Sequence, residues 1–141
     1  KSLQALHELS NISKIYADGS KLTQDEVVAL KRKQRQLTVI YQTDDLRLWW
    51  GNLDMAWREL FNSHLTCNSN PTAEQLQSIV DLEEIVVDPN NVVYSLESLQ
   101  QMSFLRKLII NNNQIHDLTP LSDKDLIYMA FKRKTEKLSQ L

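Results

Sequence analysis

Three acidic pairs are the residues of this chain whose types and spacing come nearest to general acid–base chemistry. They are Asp44 with Asp45, Glu83 with Glu84, and Asp123 with Asp125. Acid–base catalysis needs two groups held in different environments within one cleft, whereas adjacent acids in a strand point to opposite faces of the sheet. Neither a G-x-S-x-G motif nor a Cys–His signature is present. We therefore expect no enzymatic activity and predict no catalytic residue.

Metal and nucleotide sites have little support in the composition. His64 and Cys67 are three residues apart, a spacing that one helical turn could present to zinc, but no second pair of ligands lies nearby. The chain has one cysteine and two glycines, Gly19 and Gly51. These counts exclude a multi-cysteine metal cage and the glycine-rich loops that cradle phosphates. The sequence predicts neither a metal nor a cofactor.

Charge and hydropathy argue against nucleic acid and membrane as partners. Sixteen Lys and Arg face eighteen Asp and Glu, which gives a formal charge of -2. The basic clusters at residues 31–35 and 132–137 have no interleaved aromatic residues, and such runs are usually solvated helix ends. The longest apolar run, Leu126–Phe131, is too short to span a bilayer. We expect no nucleic-acid binding and no membrane insertion.

The overall composition is that of one globular domain. Apolar residues make up 42% of the 141 residues and charged residues 24%, which is close to the average for soluble proteins and enough for a core. Because the chain starts at Lys1 without a methionine, we expect a fragment or a mature form of a larger protein.

A repeated apolar pattern indicates how the elements are arranged. From Leu105 to Leu121 the sequence reads L-x-x-L-x-I-x-x-N-x-I-x-x-L-x-P-L. Matching residue types occur 23 positions earlier, and a weaker copy, with Ser20 in place of the asparagine, covers residues 12–30. A repeat of this length cannot bury its own apolar stripe, so the copies must stack and share a core.

This pattern resembles the short, internalin-like repeats of the leucine-rich repeat family, clearly over residues 82–121 and weakly over residues 9–30. The resemblance implies an α/β solenoid whose short parallel strands line a concave face. It also implies that Ser20, Asn90 and Asn113 form a ladder that satisfies backbone groups of neighbouring turns. The family is mostly non-enzymatic and recognises proteins, and the internalin likeness favours a bacterial source.

The rest of the chain predicts an irregular helical insert and a helical cap at each end. The predicted order is an N-terminal cap (1–11), a repeat (12–30), a strand with a helical insert (31–80), two repeats (82–121) and a C-terminal helix (123–141). Within the insert, apolar residues follow helical spacing from Leu46 to Leu65. Gly51–Asn52 is expected to split this stretch, with Asn52 capping the second helix. The Asn70–Thr72 segment is expected to start another helix.

Two groups of side chains are candidates for binding a partner. Residues that alternate with the inward apolar ones should form three columns on the concave face: Lys14, Glu84 and Lys107; Tyr16, Val86 and Ile109; Asp18, Asp88 and Asn111. An apolar stripe flanked by charge is typical of protein-binding surfaces. The second group is Trp49, Trp50 and Trp57, which form either core or an aromatic interface.

We therefore expect a non-enzymatic protein-interaction domain that binds a protein partner through the concave strand face. Two alternatives remain open. The chain could be a structural spacer or capping region of a longer surface or solenoid protein, without a ligand of its own. It could also be a domain associated with an enzyme or a nucleic acid, which strongly salt-dependent binding to a polyanion would support.

Overall fold

The computed structural model describes residues 11–65, 70–111 and 114–131. Over these ranges, short parallel strands alternate with helices in a mixed α/β fold with two small sheets and no closed barrel. The predicted N-terminal cap lies outside these ranges, except for Asn11.

The first unit is β1 (Lys14–Tyr16), α1 (Gln24–Lys33) and β2 (Thr38–Ile40), with β1 and β2 paired in parallel. Thr23 and Glu26 form a capping box that starts α1. Three residues of the basic cluster at 31–35 form the last turn of α1, where positive charge complements the helix dipole. In the turn after β1, Gly19 adopts φ +78°, a conformation that favours glycine.

The insert contains three helices: α2 (Thr43–Gly51), α3 (Met55–Leu65) and α4 (Ala73–Val80). The predicted division at Gly51–Asn52 is confirmed. The predicted capping role of Asn52 is wrong, because its N–H donates to carbonyls of α2 and ends that helix. The first bond of α3 runs from the Arg58 N–H to the Asp54 carbonyl at 3.0 Å. The predicted start of the next helix is confirmed, since Thr72 forms a capping box with Gln75 at the start of α4.

The second sheet is β3 (Glu84–Val87), β4 (Lys107–Ile110) and β5 (Tyr128–Phe131), all parallel. Glu84 lies opposite Lys107, so the 23-residue spacing read from the sequence is the register of these two strands. Between them, Leu96, Leu99 and Met102 are buried around a 3-10 helix, Glu97–Gln101. A second 3-10 helix, Thr119–Leu121, follows β4.

The predicted C-terminal helix over residues 123–141 is wrong where the structure describes it, because Tyr128–Phe131 is strand β5. Leu126, Met129 and Phe131 lie 21 residues after Leu105, Leu108 and Ile110, and thus repeat the apolar spacing of the previous strand. Pairing with β4 supplies hydrogen-bond partners that this short apolar segment needs. Residues 132–141 of the predicted helix lie outside the described ranges.

One core is shared by the insert and the second sheet. Trp50, Trp57 and Phe61 pack in the same cluster as Ile85 and Leu108. The core interpretation of the tryptophan face is therefore confirmed for Trp50 and Trp57. Trp49 is half-buried, and its Nε1 donates to the Ser98 carbonyl at 2.9 Å. A second, smaller cluster of Val27, Leu30, Leu37 and Val39 holds the first unit together.

Candidate functional site

The open face of the second sheet is the most regular surface in the described part of the chain. We use the name open face for six residues that form two rows across β3, β4 and β5: Glu84, Lys107 and Tyr128; Val86, Ile109 and Ala130. Strand alternation places these side chains opposite Ile85, Val87, Leu108 and Ile110, which are buried in the core. The core thus holds the six open-face residues in fixed register.

The open face has one polar row beside one apolar row. Val86 is 43% exposed and Tyr128 51% exposed, and Ile109 is half-buried between its neighbours. Within the described ranges, Glu84, Lys107 and Tyr128 make no side-chain hydrogen bond or ion pair with another side chain. Among the described residues, their polar groups therefore face outward without a side-chain partner.

The open face corrects the predicted columns at their N-terminal member. The pairs Glu84–Lys107 and Val86–Ile109 lie in register, but Lys14 and Tyr16 belong to β1 in the other sheet. Lys14 forms an ion pair with Glu74 of α4 instead. The hydrogen bond from Lys14, followed by that from Tyr16, lowers the pKa of the Glu74 carboxyl. The helical insert lies between β2 and β3 in the chain, and the strands on its two sides form separate sheets. Of the strands used in the prediction, only β3 and β4 therefore lie side by side.

Asp88 and Asn111, which directly follow β3 and β4, were predicted to bind a partner on the concave face, but their side chains hold nearby backbone groups instead. Asp88 accepts a hydrogen bond from the Asn90 N–H at 2.9 Å. The Asn111 side chain donates from Nδ2 to the Val87 carbonyl at 3.0 Å, which links the ends of the two strands. This is the contact between repeats that was expected of the ladder residues.

The predicted ladder is wrong at the two positions that the structure describes. Asn90 is exposed, and exposed Ser20 accepts a local hydrogen bond from the Leu22 N–H at 3.3 Å. Asn113 lies outside the described ranges. Asn111 takes this role because it directly follows β4, where its amide reaches the carbonyl at the end of the neighbouring strand.

Asp18, the remaining predicted face residue, caps a helix from another part of the chain. Its carboxylate accepts hydrogen bonds from the Thr43 N–H at 3.0 Å and from the Thr43 hydroxyl at 2.7 Å. The residue before α2, Gln42, provides no side-chain cap. Asp18 therefore supplies both the missing acceptor and a negative charge at the start of α2.

Replacing Asp18 with alanine should lower the free energy of unfolding by about 1 kcal/mol, because the first turn of α2 loses its acceptor. Urea unfolding followed by circular dichroism measures this change. Glu59→Ala, at an exposed position of α3, is the control and should unfold like the parent chain. Equal stability of the Asp18→Ala variant and the parent would show that the cap contributes nothing.

Sequence reasoning missed Tyr128 and Ala130, because residues 123–141 were assigned to a helix. The signal was present in the repeat itself. Moving the pattern forward by 21 residues, instead of 23, places Leu126, Met129 and Phe131 under the apolar positions of β4. The alternating residues are then Tyr128 and Ala130, which complete the two rows of the open face.

The part of the chain that the structure describes holds no group of three His, Cys, Asp or Glu side chains able to bind a metal ion. His64 is exposed near the end of α3, and Cys67 lies outside the described ranges. None of the helices in residues 11–65, 70–111 and 114–131 combines the length and apolar character needed to cross a membrane. Comparison of the chain with known protein families, curated proteins and solved structures found no match.

Proposed function

We propose that this chain is a non-enzymatic protein-binding domain, built as a small solenoid of leucine-rich-repeat type, that binds a protein partner through its open face. The observation that carries the proposal is the in-register apolar row of Val86, Ile109 and Ala130 beside the unengaged polar row of Glu84, Lys107 and Tyr128.

The chemistry of the two rows suits protein recognition. An apolar centre contributes affinity when a partner removes it from water, and flanking charged and aromatic residues orient the partner. Tyr128 adds an aromatic group of the kind that is enriched at binding hot spots. The backbone beneath these residues is held by parallel pairing and a buried core, so binding would not require ordering of the face.

Site-specific photo-crosslinking tests this proposal. A benzophenone amino acid replaces Tyr128 on the open face in one variant and Tyr94, an exposed tyrosine outside this face, in the control. Both are illuminated in lysate of the source organism. We expect a protein adduct from position 128 that is absent from position 94 and is identified by mass spectrometry.

The adduct's protein is then purified, and its affinity is measured for the parent chain and for Ile109→Lys. A charge in the apolar row should weaken binding about tenfold or more. Leu48→Lys, at an exposed apolar position of α2, is the matched control and should bind like the parent. No adduct at position 128, or equal affinity of all three proteins, would contradict binding through the open face.

A second candidate, a structural module within a longer stack, is favoured by a separate observation. At the outer side of β5, Ile127 is 62% exposed and Met129 46% exposed. Within the described ranges, no strand pairs with β5 on that side. A further repeat would cover such side chains. Failure of the crosslinking and affinity tests would leave this candidate as the better account.

A further inference from the structure

A cleft separate from the open face lies between α1 and the residues that lead into the strands of the second sheet. Its volume is about 220 Å³. Val28, Phe104 and Leu105 provide its apolar surface, and Arg32, Arg35 and Arg106 contribute guanidinium groups. This size suits one or two amino-acid side chains and is below the usual range for cofactor sites.

The cations around the cleft differ in how far the fold engages them. The Lys31 ammonium already has partners within the fold, because it donates hydrogen bonds to the Asp81 carboxylate at 3.1 Å and to the Leu37 carbonyl at 2.9 Å. Arg32 and Arg35 form exposed ion pairs with Asp125 and Glu83. Exposed pairs of this kind contribute little to stability, so a ligand can replace one partner at small cost.

Arg106 is the available cation. It is exposed, and within the described ranges its guanidinium makes no hydrogen bond or ion pair with another side chain. Its backbone N–H donates to the Glu83 carbonyl at 2.8 Å, which fixes the start of the side chain at the N-terminal end of the central strand, β4. A guanidinium in this position can bind a carboxylate through two parallel hydrogen bonds.

We propose that this cleft binds an acidic segment of a partner protein, with a carboxylate on Arg106 and an apolar side chain against Phe104. The apolar surface argues for a ligand with an apolar part, which an inorganic anion lacks. Glu83 and Asp125 disfavour a multiply charged phosphate, whereas a single carboxylate meets less repulsion. The site does not depend on the open face and stands if that face binds nothing.

Fluorescence anisotropy with the labelled, end-blocked peptide Gln-Glu-Leu-Gln-Gln, which carries one carboxylate beside one apolar side chain, tests the cleft. The peptide should bind saturably, and the same label on Gln-Gln-Leu-Gln-Gln should not. Arg106→Glu should weaken binding about tenfold or more, because it replaces the guanidinium with a repelling carboxylate. Lys21→Glu is the control: it makes the same change of charge at an exposed lysine that belongs neither to the cleft lining nor to the open face, and it should bind within about twofold of the parent chain.

Three results would overturn the proposal: no saturable binding of the acidic peptide, an equal loss in both variants, or an unchanged affinity in Arg106→Glu. Inorganic phosphate that displaces the peptide at equal concentration would also overturn the assignment to carboxylate. Circular dichroism first establishes that the variants are folded. A third variant, Lys107→Glu, probes the open face: loss of binding with Lys107→Glu but not with Arg106→Glu would place the acidic peptide there and would overturn the assignment to the cleft.

Discussion

Replacing Trp57 with alanine should lower the free energy of unfolding by about 3–5 kcal/mol, a large part of the stability of a domain this size. Trp57 is fully buried and stacks on Phe61 with ring centroids 5.9 Å apart. Its Nε1 donates to the Ser95 carbonyl at 2.9 Å, which joins the insert to the segment between β3 and β4. The substitution therefore leaves a cavity and an unpaired carbonyl at the junction of helices and sheet. Urea or thermal unfolding measures the loss.

Two further variants separate the causes of this loss. Trp57→Phe keeps an aromatic ring against Phe61 but removes the Nε1 donor, so we expect a smaller loss of about 1–2 kcal/mol. Leu48→Ala, at a position that is 69% exposed on α2, should stay within about 0.5 kcal/mol of the parent chain. A Trp57→Ala variant as stable as Leu48→Ala would show that the insert is not part of the core.

Replacing Lys31 with methionine should cost about 3–5 kcal/mol at neutral pH, because it leaves the Asp81 carboxylate buried without its cation. Both side chains of this ion pair are 11% exposed. Lys31 also lies 5.2 Å from the centre of the Phe104 ring, where a methionine can keep the apolar contact. The pair joins α1 to the residue that ends α4, so its loss weakens the contact between the first unit and the rest of the chain.

The cost should fall as the pH falls. Burial raises the pKa of Asp81 above its ordinary value of 3.8, and Lys31 opposes that rise. Without Lys31 the folded-state pKa rises further. When the pKa of an acid is higher in the folded than in the unfolded state, the folded state binds the proton more tightly, which stabilises it at low pH. This stabilisation is complete below the unfolded-state pKa and is lost as the pH rises through the folded-state pKa. The difference between Lys31→Met and the parent should therefore be largest near pH 7 and smallest near pH 4, measured by urea unfolding.

Two controls identify the charge as the cause. Arg32→Met removes an exposed partner of Asp125, 3.4 Å away, and should change stability by less than about 1 kcal/mol. Adding Asp81→Asn to Lys31→Met removes the buried carboxylate charge that has no cation beside it. The asparagine still has an oxygen that can accept the hydrogen bond from the Gln77 amide, so the double variant should recover most of the lost free energy of unfolding. A cost of Lys31→Met that is the same at pH 4 and pH 7 would attribute the loss to packing.

Local patterns predicted the features that depend on neighbours in sequence. The start of α4 follows from the capping residue Thr72, and the division between α2 and α3 follows from Gly51–Asn52. Helical spacing gave Trp50 and Trp57 a shared apolar face but left open whether that face is core or interface, and packing against the second sheet decided for core. The register of β3 with β4 followed from the repeat, because equal spacing places equivalent residues side by side in a stack.

The assignment of β5 to a helix shows where local reading fails. A short apolar run carries no strong preference between strand and helix, and pairing with an adjacent strand decides its conformation. The predicted concave face consequently lacked Tyr128 and Ala130, which lie on β5. It also included Lys14 and Tyr16, which lie on β1 in a separate sheet.

The sequence by itself determined the start of α4, the division between α2 and α3, and the spacing of β3 and β4. Only the tertiary structure decided which strands share a sheet, and that Asp18 caps α2, Lys31 pairs with Asp81 and Arg106 borders a cleft. The physical reason is distance along the chain. Asp18 and Thr43 are 25 residues apart, and Lys31 and Asp81 are 50 apart. No helical or strand period relates such positions, and their contact follows from how the helical insert packs between the two sheets.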